Sequence, residues 1–470
     1  MRIFICLIVL LAQIKVIAAP NFPFPQNAAY PFGIKPASIN TDRIQAFYET
    51  FLKRFYEESP DKSMARIRWD TPSQTVSEGI GYGMLIMVYM DNATNNTREK
   101  FDRIWKYYNS FLNANGLMHW KINGFSSVAE MNAATDAEMD VAAALLQAHK
   151  QWRDQKYLDD AKALINKIWN KEVNFNGYLK PGDTWDSKKN PSYFSTAALE
   201  SFKHAGSQDW NRVITNSYSL LKKIRNPTTG LVPDWCLENG GSTGDVYFYD
   251  AARTPWRIAW GYLWYGHDDA RDFCSTIAGW IASSSGGNPA TVGDRYNLDG
   301  TKTSSLLTSP FLGAFACAGM VDEVHQGWLD KAYRVQDSLI DVEENYFASS
   351  LKLMYLLLLS GSMPDLWNPQ VRVTHNEAAL PDGPSDGAPG LFLSPVSIND
   401  GKLRYVIPHA GVVSLDIHSL QGKLIARPVK GYVRTGFHSA VLPASLGNGM
   451  YLVTLRTASG ILSRKINLNR

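Results

Sequence analysis

Twelve helix-length apolar periods recur between residues 41 and 361, and they constrain the fold more than any other feature of the chain. They lie at roughly 41–57, 79–91, 97–112, 137–152, 157–170, 194–205, 210–224, 251–265, 268–284, 304–319, 323–335 and 346–361. A helix with one apolar stripe packs on one side, whereas a helix apolar all round must be enclosed. Among the even-numbered segments lie the most apolar ones. Segments of this length, joined by uneven loops, do not make a coiled coil. Twelve helices close into an (α/α)6 barrel of six inner and six outer helices. An open superhelix of helix pairs is the alternative, but no 34-residue consensus recurs.

The second apolar segment opens with VSEGIGYGM, residues 76–84. A carboxylate at the mouth of a buried run is costly unless it is paired or used. The same pattern returns in later even segments. Asp136 opens ATDAEMDVAAALLQA, Tyr193 precedes the sixth segment in NPSYFST, Asp250 opens the eighth in FYDAARTPWRIAW, and Tyr346 opens the twelfth in ENYFASSLKLMYLLLL. If these helices form the inner ring, three carboxylates, two tyrosines and Arg253 line one pit at one end of the barrel. Helix N-termini favour negative charge. An acid at a helix start also serves as an N-cap, the bland reading of Asp136 and Asp250. Glu78 fits that reading poorly, since Glu is a weak N-cap and Gly79, Gly81 and Gly83 are weak helix formers. We expect these glycines to make room for a ligand chain.

Two carboxylates across a cleft suit glycosidic bond cleavage, one protonated and one ionised. A Glu among apolar neighbours has its pKa raised, which fits Glu78 as the acid. Asp250 lies one helical turn from Arg253, which would keep it charged. Trp69, Trp120, Trp185 and Trp235 fall outside the helical segments. Their flat faces suit sugar rings, with core packing the alternative for each. Trp120 and Trp185, set among polar residues and glycines, favour the sugar-binding reading.

The ends of the chain read differently. Residues 1–18 have the charged, apolar and small-residue regions of a secretory signal, so a secreted or cell-surface protein is expected. No later segment is long and apolar enough to span a membrane. After the signal with its Cys6, the cysteines Cys236, Cys274 and Cys317 lack zinc-site spacing, and three buried thiols are expected. No metal, nucleotide or nucleic-acid motif is present, so no cofactor is expected. All 14 Trp precede residue 368. The stretch 376–390, NEAALPDGPSDGAPG, reads as a linker. Residues 391–470 then alternate with period two in GVVSLDIH, KLIAR, MYLVTLR and ILSRKIN, which predicts six or seven strands in a small β-sandwich. This tail carries ten Lys and Arg against two acids, Asp400 and Asp416, hence either a separate domain or a basic docking surface.

These motifs resemble glycoside hydrolase family 8 across residues 22–363. SEGIGYGM is similar to that family's proton-donor segment, ATDAEMDVAAALLQAHKQW to its signature, and YDAARTPWRIA to its catalytic-base segment in the cellulase and xylanase branch. Glu138 stands where the signature usually has Asp, and Val141 where it has Ile or Met. The resemblance implies an (α/α)6 barrel and hydrolysis with inversion. Carried over, Glu78 is the general acid, Asp250 the general base, and Asp136 binds the sugar at the cleavage point. Tyr193 and Arg253 hold the water, and Trp120, Trp185 and Tyr346 bind substrate. The substrate implied is a β-1,4-glucan such as cellulose, with xylan as the alternative. A barrel that binds polysaccharide without cutting it is the reading from another class. The tail, with SLQGKLI and GNGMYLVTLRTASGILSRKINLNR, resembles the sorting domains of the type IX secretion system, which implies secretion machinery as a partner.

Overall fold

The computed structural model describes residues 19–241 and 243–368, residues 392–393, and the greater part of 402–468. The chain divides into two compact units, Met1–His375 and Asn376–Arg470. The expected signal (1–18) and linker (376–390) lie outside the described residues.

The first unit is mostly helical, with twelve α-helices among its described residues. In chain order they are α1 (Thr41–Phe55), α2 (Ser77–Tyr89), α3 (Arg98–Ser110), α4 (Thr135–Trp152), α5 (Gln155–Glu172) and α6 (Thr196–Phe202). There follow α7 (Trp210–Ile224), α8 (Thr254–Tyr265), α9 (Asp268–Ser284), α10 (Ser309–Ala318), α11 (Gln326–Ser338) and α12 (Tyr346–Leu359). Odd and even helices differ as their sequences dictate. In α1 the buried side chains are Ile44, Phe47, Tyr48, Phe51 and Phe55, a single stripe at helical spacing. In α2 every residue except Glu78 is buried, and every residue of α10 is. Each even helix packs on the next, from α2 through α4, α6, α8, α10 and α12, and α12 returns to α2. Each of α2, α4, α6, α8 and α10 also packs on the odd helix that follows it, and α12 on α1. This closed ring is consistent with an (α/α)6 barrel.

Inside the ring a buried ion pair joins two of the even helices. The Arg257 guanidinium on α8 donates to both carboxylate oxygens of Asp140 on α4, one bond measuring 2.7 Å. Both side chains are buried. Cys236, Cys274 and Cys317 are buried free thiols, as their spacing predicts.

The second unit holds seven strands among its described residues. Phe392–Leu393, Lys402–Ile407 and Gly436–Val441 form one antiparallel sheet. Leu424–Val433, Gly411–His418, Gly449–Thr457 and Gly460–Leu468, in that spatial order, form another. Alternate residues such as Leu403, Leu415, Ile417, Val453 and Leu455 point into one shared apolar core. Period-two patterning therefore produced strands whose alternate apolar residues share a core, while Asp416 and Thr454 between them are buried as well.

Candidate active site

Four even-helix N-termini bring their polar residues together. Glu78 is the second residue of α2 and Asp136 the second of α4. Asp250 precedes a 3-10 turn, Ala251–Arg253, that leads into α8. Tyr346 is the first residue of α12. Asp136 Oδ1 accepts the Ala137 N–H in the first turn of α4 at 3.0 Å, so the capping reading keeps some support there, whereas neither Glu78 nor Asp250 makes a capping side-chain hydrogen bond.

Arg253 is the centre of the cluster. Its Nη1 donates to Glu78 Oε2 at 2.6 Å and to Asp136 Oδ2 at 2.8 Å. Its Nη2 donates to Asp250 Oδ1 at 3.0 Å. The guanidinium therefore holds Glu78 and Asp250 on separate nitrogens. Side-chain exposure rises from 4% at Arg253 and Asp136 to 17% at Glu78 and 37% at Asp250. Asp136 forms the floor, and Asp250 faces solvent. A cleft of about 420 Å³ opens above them, lined among others by Trp69, Asp70, Phe248 and Phe347.

Burial pushes the Glu78 carboxyl up to about 7, outweighing the Arg253 charge that pulls it down, with the Asp136 charge adding to the rise. Glu78 is thus partly protonated near neutrality even though a guanidinium touches it. Asp250 differs: Arg253 Nη2 and Asn190 Nδ2 donate to its Oδ1, and Trp235 Nε1 donates to its Oδ2 at 3.0 Å. One carboxyl is kept near-neutral by burial and another is hydrogen-bonded beside solvent. That pair of environments suits an acid and a base on two sides of a bond.

Residues 23–361 match the family model of glycosyl hydrolases family 8. The chain belongs to that family.

Among its relatives, Endoglucanase 2 of Ruminiclostridium josui is 35% identical over 75% of this chain and 79% of its own length. Endoglucanase C of Ruminiclostridium cellulolyticum is 34% identical over 78% and 81%. The solved structure of a β-1,3-1,4-glucanase from Paenibacillus sp. X4 superposes with a TM-score of 0.69 at 30% identity, over 73% of this chain and 99% of that one.

In this family 8 member, the cluster gathers Glu78, Asp136, Asp250, Arg253 and Tyr346. The Tyr193 ring lies 5.7 Å from the Arg253 guanidinium. Trp185 is 43% exposed, with its ring 5.1 Å from that of Trp235. Trp120 is half-buried. Its carbonyl accepts the Ser77 N–H at 2.8 Å, just before Glu78, and the Lys121 ammonium lies 5.3 Å from its ring.

Two expectations are corrected. Tyr346 is 1% exposed and offers no ring face to a sugar. Its hydroxyl instead donates to Glu78 Oε1 at 3.2 Å. The glycines of SEGIGYGM make room for protein, not for a ligand chain. A Cβ on Gly79 would meet the Tyr346 hydroxyl at 2.8 Å, one on Gly81 the Asp140 Cβ at 2.8 Å, and one on Gly83 the Ile67 Cγ1 at 2.7 Å. Asn190 and Phe347 were not singled out from sequence, and Trp235 only as an aromatic. Asn190 opens the NPSYFS motif that carries Tyr193, which was the available signal.

Glu138, where the family signature usually has Asp, is fully buried and faces Tyr108, whose hydroxyl donates to it at 3.3 Å. The Arg253 guanidinium donates instead to Glu78, Asp136 and Asp250.

Proposed function

We propose that this protein is a secreted, inverting endo-β-1,4-glucanase built on an (α/α)6 barrel and acting on cellulose or mixed-linkage β-glucan. The observation that carries the reading is the Arg253 guanidinium, with half-buried Glu78 on one nitrogen and the more exposed Asp250 on the other. Protonated Glu78 donates to the leaving glycosidic oxygen. Asp250 takes a proton from a water that attacks the anomeric carbon from the opposite face, so the β-linkage yields an α-product. Asp136, at the floor, holds the sugar ring at the cleavage point. Arg253 and Tyr193 position the water, while Tyr346 holds Glu78. Trp120 and Trp185 supply stacking faces for neighbouring glucose units. The names of the relatives, two endoglucanases and a β-1,3-1,4-glucanase, support the glucan class.

The remaining parts of the chain complete the proposal. Residues 1–18 are a signal peptide, 22–363 the catalytic domain, 376–390 a linker, and 391–470 an export-directing β-sandwich recognised by secretion machinery. The period-two patterning and basic composition of the tail support that role.

The experiment compares hydrolysis of carboxymethyl cellulose, lichenan and xylan, with products separated by size. Rapid release of mixed cello-oligosaccharides is expected. Preferential xylan cleavage would overturn the substrate, and no hydrolysis of any polymer would favour a binding protein.

A further inference from the structure

We infer that Trp235 and Asn190 form a clamp that fixes the Asp250 carboxylate, making both of them positioning residues for the base. The inference rests on the proposed role of Asp250. A carboxylate has about four lone-pair positions. Here Oδ1 accepts Arg253 Nη2 at 3.0 Å and Asn190 Nδ2 at 3.2 Å, and Oδ2 accepts Trp235 Nε1 at 3.0 Å. Three positions are filled by donors from three different segments, leaving one on Oδ2 for the proton of an attacking water. A base aimed in this way needs no reorientation when the reaction starts.

The clamp is built as a unit. Lys189 and Cys236 exchange backbone hydrogen bonds of 2.7 and 2.9 Å, and this bridge brings together their neighbours Asn190 and Trp235. Asp234 Oδ1 accepts the N–H groups of Phe248 and Ala251, both at 2.9 Å. The Trp235 segment is thereby tied to the turn that carries Asp250. The Asn190 amide oxygen accepts the Ser192 N–H at 3.0 Å and its hydroxyl at 2.7 Å. That oxygen is therefore engaged, and the NH₂ faces Asp250. The Trp235 ring is held by Trp185 on one side and by Tyr193, at 6.4 Å, on another. Charged and titratable groups around Asp250 are Arg253, Asp234 and Tyr193.

Three variants test the clamp on a soluble cello-oligosaccharide. Trp235→Phe keeps a ring but removes the N–H. Asn190→Asp keeps the acceptor toward Ser192 but turns a second carboxylate toward Asp250. Asp250→Asn removes the base itself. The clamp predicts that the first two lower kcat about tenfold to a hundredfold, the worth of one hydrogen bond to a charged group. The acidic limb of their kcat–pH profiles moves to higher pH, since losing a donor disfavours the ionised base. KM changes little. If Asp250→Asn is inactive while the other two keep wild-type kcat and acidic limb, or change only KM, the clamp is refuted and the base assignment stands. If Asp250→Asn remains active, the base assignment itself fails, and the clamp with it. Should Trp235→Phe not fold, the kcat and acidic limb of Asn190→Asp decide the matter.

Discussion

The Tyr346 hydroxyl donates to Glu78 Oε1 at 3.2 Å, although 268 residues separate the two in sequence. The bond crosses the seam where α12 returns to α2, so closure of the helical ring and placement of the carboxyl are one event. Tyr346 stabilises the ionised form of Glu78, whereas burial, the larger effect, disfavours it. Tyr346→Phe removes the donor, so the Glu78 pKa should rise further. The alkaline limb of kcat/KM, expected near pH 7, should then move to higher pH. A limb that stays fixed or moves down would contradict this role.

Glu78→Gln keeps the shape and the acceptor for Tyr346 but has no proton to give. Hydrolysis should fall by roughly 10²–10⁴, the usual worth of a positioned acid. Retention of most of the activity in a folded variant would remove Glu78 from the chemistry.

The same variant should change stability with the opposite sign. The ordinary Glu78 pKa of 4.5 rises to about 7 on folding. Between those values the unfolded chain loses this proton while the folded chain keeps it, so stability falls as pH rises through the window. Glu172, raised to about 8, and Glu138, raised mainly by burial, act in the same direction. These three groups therefore pull Tm down from pH 4.5 towards 8, against His204 and His325, whose pKa burial lowers. The Tm difference between Glu78→Gln and wild type should grow in favour of the variant over 4.5 to 7. A difference that is flat with pH would show that burial of Glu78 carries no such cost.

Gly79→Ala places a methyl group 2.8 Å from the Tyr346 hydroxyl. Tyr346 must move, and the expected result is a drop in kcat with the alkaline limb displaced as in Tyr346→Phe. Circular dichroism and a pH profile check it. Unchanged kinetics would mean that the hydroxyl has room to shift without consequence.

Arg257→Met leaves Asp140 buried without its partner. Breaking a buried pair this way costs about 3–5 kcal/mol, read as a lowered urea midpoint. Loss below 1 kcal/mol would mean that Asp140 takes up a proton or reaches water instead.

The architecture was legible because apolar periodicity forces burial, and the contrast between the single stripe of α1 and the all-round burial of α2 separates outer from inner helices. The carboxylates at helix starts were legible for the same reason, since an unpaired charge does not persist at a buried mouth. What the sequence withheld were contacts between distant segments. Nothing local to Trp235 indicates that its indole N–H reaches Asp250, because the Lys189–Cys236 bridge that brings it there is non-local. Tyr346 was misread for a related reason. A tyrosine at a helix start can offer its ring or its hydroxyl, and Gly79, on another helix, decides which.

In the proposed mechanism Glu78 and Asp250 act on opposite faces of one β-glycosidic bond. Proton NMR of cello-oligosaccharide hydrolysis, recorded before mutarotation, tests it most directly. The α-anomer should appear first at the new reducing end. A β-anomer appearing first would contradict the assignment of Asp250 as a base acting through water.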